Sequence, residues 1–274
     1  MFRPMVVSRF VFCLIIILAY GRFSIHAAEL NSDLLQVSIV TGKNNHDWRS
    51  TTPVLKRSLE STGIFPVSVS KDPSAAVRDD PELERYDAIL FNYNGPRWNK
   101  KRENALLNFV RQGGGLVIVH AANNAFSEWT EFNEMIGVGW RAGAGHGRPH
   151  AFRLELIVRS HPVTSGMLPK IVHVEDELYH NLTGPLLDKV PPLNTKYRVL
   201  AHAFSTTETG GTGRNEPMVI ATRYYRGRVF HTPMGHFPHS MKSVCFQTFL
   251  TRGTQWSITG EVTLSLPESL SKLP

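Results

Sequence analysis

The chain has 274 residues and a formal net charge of +7, and 42% of its residues are hydrophobic. A chain of that length can bury a substantial core without disulfide support. The basic excess is spread out, with no Lys/Arg-rich run and no nucleic-acid-binding motif. The composition therefore excludes nucleic acid as the expected partner. The chain contains no internal repeat, and no motif specifies an oligomeric state.

Residues 1–28 have the organisation of a secretory signal. Arg3 and Arg9 precede the apolar run 10–19, and small residues follow over 24–28. The apolar run is well short of the roughly 20 residues that span a bilayer. We therefore predict cleavage at the end of this segment and export to the periplasm or the extracellular space, with no stable membrane insertion afterwards. The alternative is a retained membrane anchor.

Cleavage would change both the charge and the thiol content of the chain. Three arginines leave with the segment, so the formal net charge falls from +7 to +4. Cys13 leaves as well, and Cys245 then has no partner for an internal disulfide. Because Val244 and Phe246 flank Cys245, the sequence favours a buried structural thiol over a nucleophile.

From residue 36 onward the apolar pattern alternates between strand-like and helix-like segments. Short β-rich runs predict strands, and apolar residues at 3.6-residue spacing predict helices. The elements predicted in the first half are strand 37–40, helix 50–62, strands 65–69 and 86–91, helix 99–112, strand 116–119 and helix 126–136. This order favours a parallel sheet covered by helices.

The second half of the chain is richer in strands. The elements predicted there are strands 153–158, 171–174, 198–202, 218–222 and 228–231, and a closing helix over 241–251. The glycine-rich segment 210–213 predicts a hairpin tip. Residues 140–195 are expected to form an insertion that is partly antiparallel, within a single domain.

Histidines follow several of the predicted strands. His46 and His236 lie a few residues beyond such strands, and His120 directly follows strand 116–119. Because the carboxyl ends of parallel strands form the crevice where open α/β sheets bind ligands, we expect these imidazoles to gather there. The small residues after His120 favour an elbow turn that presents its side chain. The alternative for His120 is a buried, hydrogen-bonded structural histidine.

An acidic segment, Glu175-Asp176-Glu177, precedes Tyr179 and His180. Three adjacent carboxylates repel one another unless some of them face water, a cation or a proton. One carboxyl group with a raised pKa would serve as a general acid or base. A solvated acidic turn explains the same residues equally well.

Five ordered segments resemble the ThuA-like (trehalose utilisation) family, whose fold is similar to class I glutamine amidotransferase domains. The segments are Thr41-Gly42 with His46-Asp47-Trp48, Gly113-Gly114-Gly115-Leu116 to His120-Ala121, His161-Pro162-Val163-Thr164, Asp176-Glu177-Leu178-Tyr179-His180, and Gly227-Arg228-Val229-Phe230 with Met234-Gly235-His236. The resemblance covers nearly all of a ThuA-like domain over 36–258, which leaves a C-terminal tail over 259–274.

The resemblance implies a three-layer α/β sandwich with a mostly parallel, flavodoxin-like central sheet flanked by helices. It also implies a link to disaccharide or modified-sugar metabolism, with a small-molecule carbohydrate as the partner. The amidotransferase-like relatives have a cysteine at the elbow. This chain has His120 there, so glutaminase chemistry does not carry over.

The leading hypothesis is an exported enzyme of carbohydrate utilisation. It would perform acid–base chemistry (hydrolysis, isomerisation or elimination) on a disaccharide, glycoside or keto-sugar. The candidate catalytic residues are His120, Asp176, Glu177 and His236, and the candidate substrate-binding residues are His46, Asp47, Trp48, Tyr179 and His180. The imidazoles would bind hydroxyls or exchange protons, one carboxylate would be the acid or base, and an aromatic ring would stack on the sugar.

Two alternatives remain open. In the first, a metal-assisted hydrolase holds Zn²⁺ or another divalent metal through two or three of four histidines, and a carboxylate acts on the bound water. The candidate metal ligands are His46, His120, His146 and His236. The local zinc signal at His146 is weak because its loop contains glycine and proline. In the second alternative, the same scaffold binds sugar without catalysis. No other cofactor is indicated.

Overall fold

The computed structural model of the chain describes residues 34–71, 83–188 and 193–271. The predicted signal segment 1–28 lies outside the described residues. From Leu35 onward the described residues belong to one unit. None of the helices within these ranges is long and apolar enough to cross a membrane.

Strands and α-helices are labelled here in chain order. The strands are β1 (Val37–Val40), β2 (Val67–Ser70), β3 (Ala88–Phe91), β4 (Gly115–Val119), β5 (Gly145–His146), β6 (His150–Leu156), β7 (Lys170–Asp176), β8 (Tyr179–His180), β9 (Thr195–Ser205), β10 (Arg214–Tyr224) and β11 (Gly227–Thr232). The helices are α1 (Trp48–Glu60), α2 (Lys100–Gln112), α3 (Thr130–Ile136), α4 (Pro238–Met241) and α5 (Val244–Thr259). A 3-10 turn over His120–Asn124 follows β4 directly.

Nine of these strands form one mixed sheet in the order β2-β1-β3-β4-β11-β10-β9-β6-β7. Pairing is parallel from β2 to β11 and antiparallel from β11 to β7. The prediction of an α/β fold with helices flanking a large sheet is confirmed. The prediction of a mostly parallel, flavodoxin-like sheet is wrong, because parallel pairing covers only one half of it.

The antiparallel half arises from strands that follow one another without an intervening helix. Parallel neighbours need a long crossover connection, whereas antiparallel neighbours can be joined by a short loop. β9 and β10 are each 11 residues long and form a hairpin. The glycine-rich segment 210–213 lies in the loop between them, as predicted. β10 then returns to β11 through two residues.

Apart from the edge strand β2, the strands of the parallel half are buried on both faces. In β4, Val117 and Val119 face one apolar core, whereas Leu116 and Ile118 face a second. Helices α1 and α5 contribute apolar side chains to the first core, and α2 and α3 contribute to the second. Burial on both faces explains why these strands are continuous apolar runs in the sequence.

The antiparallel half curls back toward the carboxyl ends of the parallel strands. A flat sheet would hold β11 and β7 about 19 Å apart, because neighbouring strands are about 4.8 Å apart. Yet the Asp176 carboxylate at the end of β7 accepts a hydrogen bond of 2.7 Å from the Gly235 amide, just past β11. Register shifts interrupt the β9–β10 and β6–β7 pairings. Such irregularities bend and twist strands, which favours this curl.

Residues beyond α5 pack back onto the domain. Leu270 is buried, and its carbonyl oxygen accepts a hydrogen bond of 2.9 Å from the Leu168 amide. The buried Arg252 guanidinium of α5 donates to three carbonyl oxygens of the 162–165 segment and to the Leu264 carbonyl oxygen. One side chain therefore ties the C-terminal residues and the loop before β7 to the same helix.

Replacing Arg252 by methionine should destabilise the protein. Arg252→Met leaves four backbone acceptors without their donors, so we expect a loss of about 3 kcal/mol in the free energy of unfolding. Chemical denaturation followed by circular dichroism measures this loss. Arg57→Met, at an exposed position of α1, is the matched control and should change the stability by less than about 0.5 kcal/mol. Equal stability of the two variants would contradict the anchoring role.

Candidate functional site

Four side chains from distant segments meet beyond the carboxyl ends of the parallel strands. His46 follows β1, His120 follows β4, Glu177 follows β7 and His236 follows β11. β1, β4 and β11 lie close together in the parallel half of the sheet. The curl of the antiparallel half adds Glu177 from the far edge of the sheet. We call these four residues the His–Glu cluster.

The donor atoms of the His–Glu cluster all lie within 4.8 Å of one another. His236 Nδ1 is 3.0 Å from Glu177 Oε2 and 3.3 Å from His120 Nε2. Glu177 Oε2 is 3.7 Å from His120 Nε2 and 4.0 Å from His46 Nε2. Three nitrogens and one oxygen therefore surround a space large enough for a single ion.

His120 occupies the elbow position after β4. Its φ of 49° lies in the left-handed region, which is uncommon for residues other than glycine. Its Nδ1–H donates to the Pro233 carbonyl oxygen at 2.7 Å, so Nε2 keeps its lone pair and accepts from the Tyr179 hydroxyl at 2.8 Å. Burial lowers the pKa of His120 to about 4 and raises the pKa of Tyr179. The ring is thus neutral, and the phenol is protonated.

The loop after β1 positions His46 through asparagine side chains. His46 Nδ1 lies 3.1 Å from Asn45 Oδ1, an oxygen that also accepts from the Asn94 side chain. Because an amide oxygen only accepts, Nδ1 carries the hydrogen and Nε2 presents a lone pair to the cluster. Burial and the neighbouring His236 lower the pKa of His46.

Asp176 lies beneath the cluster and is fully buried. Its Oδ1 accepts from the Glu177 amide at 3.0 Å and the His236 amide at 2.9 Å. Its Oδ2 accepts from the Gly235 amide at 2.7 Å and from His173 Nε2 at 2.9 Å. Burial alone would raise the pKa of Asp176, but the His173 hydrogen bond and nearby imidazoles hold it below its ordinary value. Asp176 thus fixes the backbone of two cluster members.

Glu177 supplies the negative charge of the cluster. Its Oε1 lies 3.4 Å from His146 Nε2. Burial alone would raise the pKa of Glu177, but the contact with His236 and the surrounding imidazoles hold it below its ordinary value. Its Oε2 is buried, and the one polar atom within 3.5 Å that its contacts show is His236 Nδ1 at 3.0 Å, with which it forms no well-directed hydrogen bond. An orphaned buried carboxylate oxygen is unusual, because its desolvation is then uncompensated.

The cluster opens into a cleft of about 150 Å³. The residues that line it are Asn45, His46, Ala121, Asn124, Trp140, His146, Glu177 and Tyr179. The rings of Trp140 and Tyr179 pack edge to face with centroids 4.5 Å apart. Arg141 donates to the Asn123 and Ala125 carbonyl oxygens, which anchors the segment that carries Trp140. Aromatic walls with a few converging polar groups suit a small polar ligand.

Several candidate residues from the sequence lie outside this cleft. Asp47 is exposed and caps α1, and Trp48 begins that helix with its ring against the Arg49 guanidinium. His180 lies on β8, which pairs with β5 in a separate two-stranded sheet. Of the predicted substrate-binding residues, the cleft therefore contains only His46 and Tyr179.

Three cleft residues were missed by sequence reasoning. Asn124 ends the 3-10 turn that begins at His120, so the elbow signal could have been extended to it. Asn45 directly precedes His46 and could have been included with it. Trp140 carried no such signal, because it lies in a loop before β5 and not at the end of a strand.

Comparison with known proteins agrees with the fold and with the ordered segments. The sequence profile of the ThuA family, described as trehalose utilisation, matches residues 36–257. This chain belongs to the ThuA family. No curated protein matches the chain by sequence.

Solved structures show the same relationship. A ThuA-like protein from Parabacteroides merdae is 34% identical with a TM-score of 0.76, and the match covers 86% of this chain and 94% of that one. A ThuA-like protein from Bacteroides uniformis is 17% identical with a TM-score of 0.65, with coverages of 84% and 93%. A β-galactosidase from Bacillus circulans sp. alkalophilus is 13% identical with a TM-score of 0.51, covering 85% of this chain but 32% of the enzyme. This last likeness shows the fold alone.

Replacing Asp176 by asparagine tests its role beneath the cluster. In Asp176→Asn one carboxylate oxygen becomes an NH₂ group, which cannot accept the hydrogen bonds that this oxygen accepts. We therefore expect a loss of about 3 kcal/mol in the free energy of unfolding. Glu175→Gln, at an exposed position on the same strand, should be neutral within about 0.5 kcal/mol. Denaturation midpoints measure both, and coinciding midpoints would rule out the structural role.

Proposed function

We propose that this protein is an enzyme of carbohydrate utilisation, exported by its N-terminal segment, that acts on a sugar in the cleft beside the His–Glu cluster. The observation that carries the proposal is the meeting of four titratable side chains from separate segments beside one cleft, which His46 and Glu177 line. Such convergent polar groups in a concave site are the usual mark of a binding or catalytic site.

A structural histidine in the same sheet provides the contrast. His231 is fully buried in β11, and its Nδ1 lies 3.0 Å from the Ile136 carbonyl oxygen. Its Nε2 lies 3.2 Å from the Asn123 side-chain amide. Both of its ring nitrogens have partners within the core, and no carboxylate is among them. The cluster imidazoles instead approach one another and Glu177 beside an open cleft. This difference supports a functional role for the cluster.

The family and the cleft walls support a carbohydrate as the substrate. The family description, trehalose utilisation, favours a disaccharide, a glycoside or an oxidised keto-sugar. Trp140 and Tyr179 supply aromatic surface, and Asn45 and Asn124 supply amide groups that hydrogen-bond hydroxyls. Of the two rings that the sequence suggested for stacking, Trp48 and Tyr179, Tyr179 lines the cleft, and Trp140 is a second ring available there.

The carboxylates favour isomerisation or elimination over glycoside hydrolysis. Most glycosidases place two carboxyl groups across the scissile bond, about 5 to 9.5 Å apart. Among the described residues that line the cleft, Glu177 is the one carboxylate, and both oxygens of Asp176 are already hydrogen-bonded. A single carboxylate base beside several imidazoles suits removal of a proton from the carbon beside a carbonyl group. The proton then returns elsewhere in isomerisation, or a leaving group departs in elimination.

Replacing Glu177 by glutamine tests the proposed function. We expect Glu177→Gln to lower turnover by at least about 100-fold, since general acid–base groups contribute about 10² to 10⁴. Turnover of a panel of disaccharides, glycosides and keto-sugars is followed by NMR. Glu175→Gln is the matched control and should keep full activity. Full activity in a folded Glu177→Gln variant would contradict the assignment.

The same panel decides between an enzyme and a sugar-binding protein. Saturable binding without turnover of any panel sugar, unchanged in Glu177→Gln, would favour the non-catalytic alternative. Turnover by the wild-type protein would exclude it. Calorimetric titration with each sugar supplies the binding measurement.

A further inference from the structure

We infer that Nε2 of His46, Nε2 of His120, Oε2 of Glu177 and Nδ1 of His236 together hold one divalent transition-metal cation. This inference rests on the proposed function in that it concerns the same cleft. It changes the part assigned to Glu177, which becomes a ligand. The proton-transferring group is then His146, which lines the cleft with its Nε2 3.4 Å from Glu177 Oε1.

The separations of the four atoms fit a shared ion. Zn²⁺ binds histidine nitrogen and carboxylate oxygen at about 2.0–2.2 Å, so neighbouring ligands of a tetrahedral ion lie about 3.3–3.6 Å apart. The separations given above, 3.0, 3.3, 3.7 and 4.0 Å, lie around that value. The two remaining separations, from His46 Nε2 to the ligating nitrogens of His120 and His236, are at most 4.8 Å. A shift of up to about 1 Å, mainly of the His46 ring, would place all four atoms in one coordination shell.

The ring orientations have a feature common to metal-binding histidines. Such a histidine almost always donates its other ring N–H to a carbonyl or carboxylate group, which fixes the ligating nitrogen. His120 Nδ1 is 2.7 Å from the Pro233 carbonyl oxygen, and His46 Nδ1 is 3.1 Å from Asn45 Oδ1. Both rings are therefore held so that Nε2, which carries no hydrogen, is directed into the cluster.

The orphaned oxygen of Glu177 is an independent observation. The Glu177 side chain is only 8% exposed, and its Oε2 has no hydrogen-bond partner. A buried carboxylate oxygen without well-directed hydrogen bonds is unfavourable, and a bound cation would compensate its lost hydration. The unsatisfied oxygen is the same atom that the geometry selects as the ligand.

The donor set also indicates the class of ion. Three imidazole nitrogens and one carboxylate oxygen suit Zn²⁺ and neighbouring first-row metals, whereas Mg²⁺ and Ca²⁺ prefer an all-oxygen shell. The His46 and His236 side chains are 16% and 23% exposed, so this side of the cluster is reachable from the cleft. An ion held there would polarise an oxygen of the bound sugar.

Tyr179 makes the inference sharply testable. The neutral ring of His120 has one lone pair at Nε2, and the Tyr179 hydroxyl donates to it at 2.8 Å. A metal ion would need the same lone pair, so binding must displace this hydrogen bond. Removing the hydroxyl should therefore strengthen metal binding, whereas removing a ligand or a supporting partner would weaken it.

The experiment titrates the chelator-treated full chain with Co²⁺, read by its d–d absorption, and then with Zn²⁺ in competition. We expect one equivalent of metal per chain. Glu177→Gln and His236→Ala should bind at least about 100-fold more weakly. His202→Ala, on β9 away from the cluster, is the control and should bind like the wild-type protein. Tyr179→Phe should bind about 2- to 10-fold more tightly, which is the effect of one net hydrogen bond.

Two results would overturn the inference. One is the failure of the folded wild-type chain to bind a stoichiometric metal ion, and the other is binding that survives Glu177→Gln and His236→Ala together. Should these variants not fold, as judged by circular dichroism, His46→Ala replaces them because its loop lies outside the core. Weaker metal binding in Tyr179→Phe would also contradict the inference that the metal ion and the Tyr179 hydroxyl compete for the lone pair of His120 Nε2.

The outcome is separable from the proposed function. A metal-free protein that still turns over sugar contradicts the metal site and leaves the enzyme proposal standing. Stoichiometric metal binding without turnover of any panel sugar supports the metal site and contradicts the enzyme proposal.

Discussion

A single buried carboxylate, Asp176, connects the two halves of this structure. Its four hydrogen bonds join the end of β7, at the edge of the antiparallel half, to the loop after β11, in the parallel half. Because its two oxygens hold the Glu177 and His236 amides at once, the relative position of these two side chains follows from one group. An ionised carboxylate with four donors is stable in the interior, although an isolated one would not be. The curl of the sheet, the position of Glu177 and the shape of the cleft all depend on this contact.

The strands of both halves of the sheet could be predicted from the sequence, but the extent of antiparallel pairing in the second half could not. Strands buried on both faces give continuous apolar runs such as Leu116–Val119, which are recognisable without knowing their neighbours. In β10, Pro217 and the adjacent register shift interrupt the pattern, so strand 218–222 recovered only half of the element. Whether two strands pair parallel or antiparallel depends on contacts between them, and these contacts cannot be read from the sequence of either strand.

The candidate site shows the same division. His46, His120 and His236 follow strands of the parallel half, so the rule for strand ends located them. Glu177 was recognisable only as one of three adjacent acids. The sequence could not assign different roles to Glu177 and Asp176. Only the structure shows that Glu177 faces the cleft and that Asp176 lies beneath it, buried and hydrogen-bonded. Asp47 was wrongly placed in the site. It directly precedes a predicted helix, where an aspartate commonly caps the first turn, and its side chain accepts from the Ser50 amide there.

The surroundings of four donor atoms, on His46, His120, Glu177 and His236, hold them close together in the absence of any ligand. Anomalous diffraction from a crystal equilibrated with Zn²⁺ tests this most directly. The account predicts one anomalous peak about 2.0–2.2 Å from Nε2 of His46 and His120, Oε2 of Glu177 and Nδ1 of His236. It also predicts that the Tyr179 hydroxyl has moved off His120. A map with no peak among these atoms, and with the His120–Tyr179 hydrogen bond intact, would contradict the central claim.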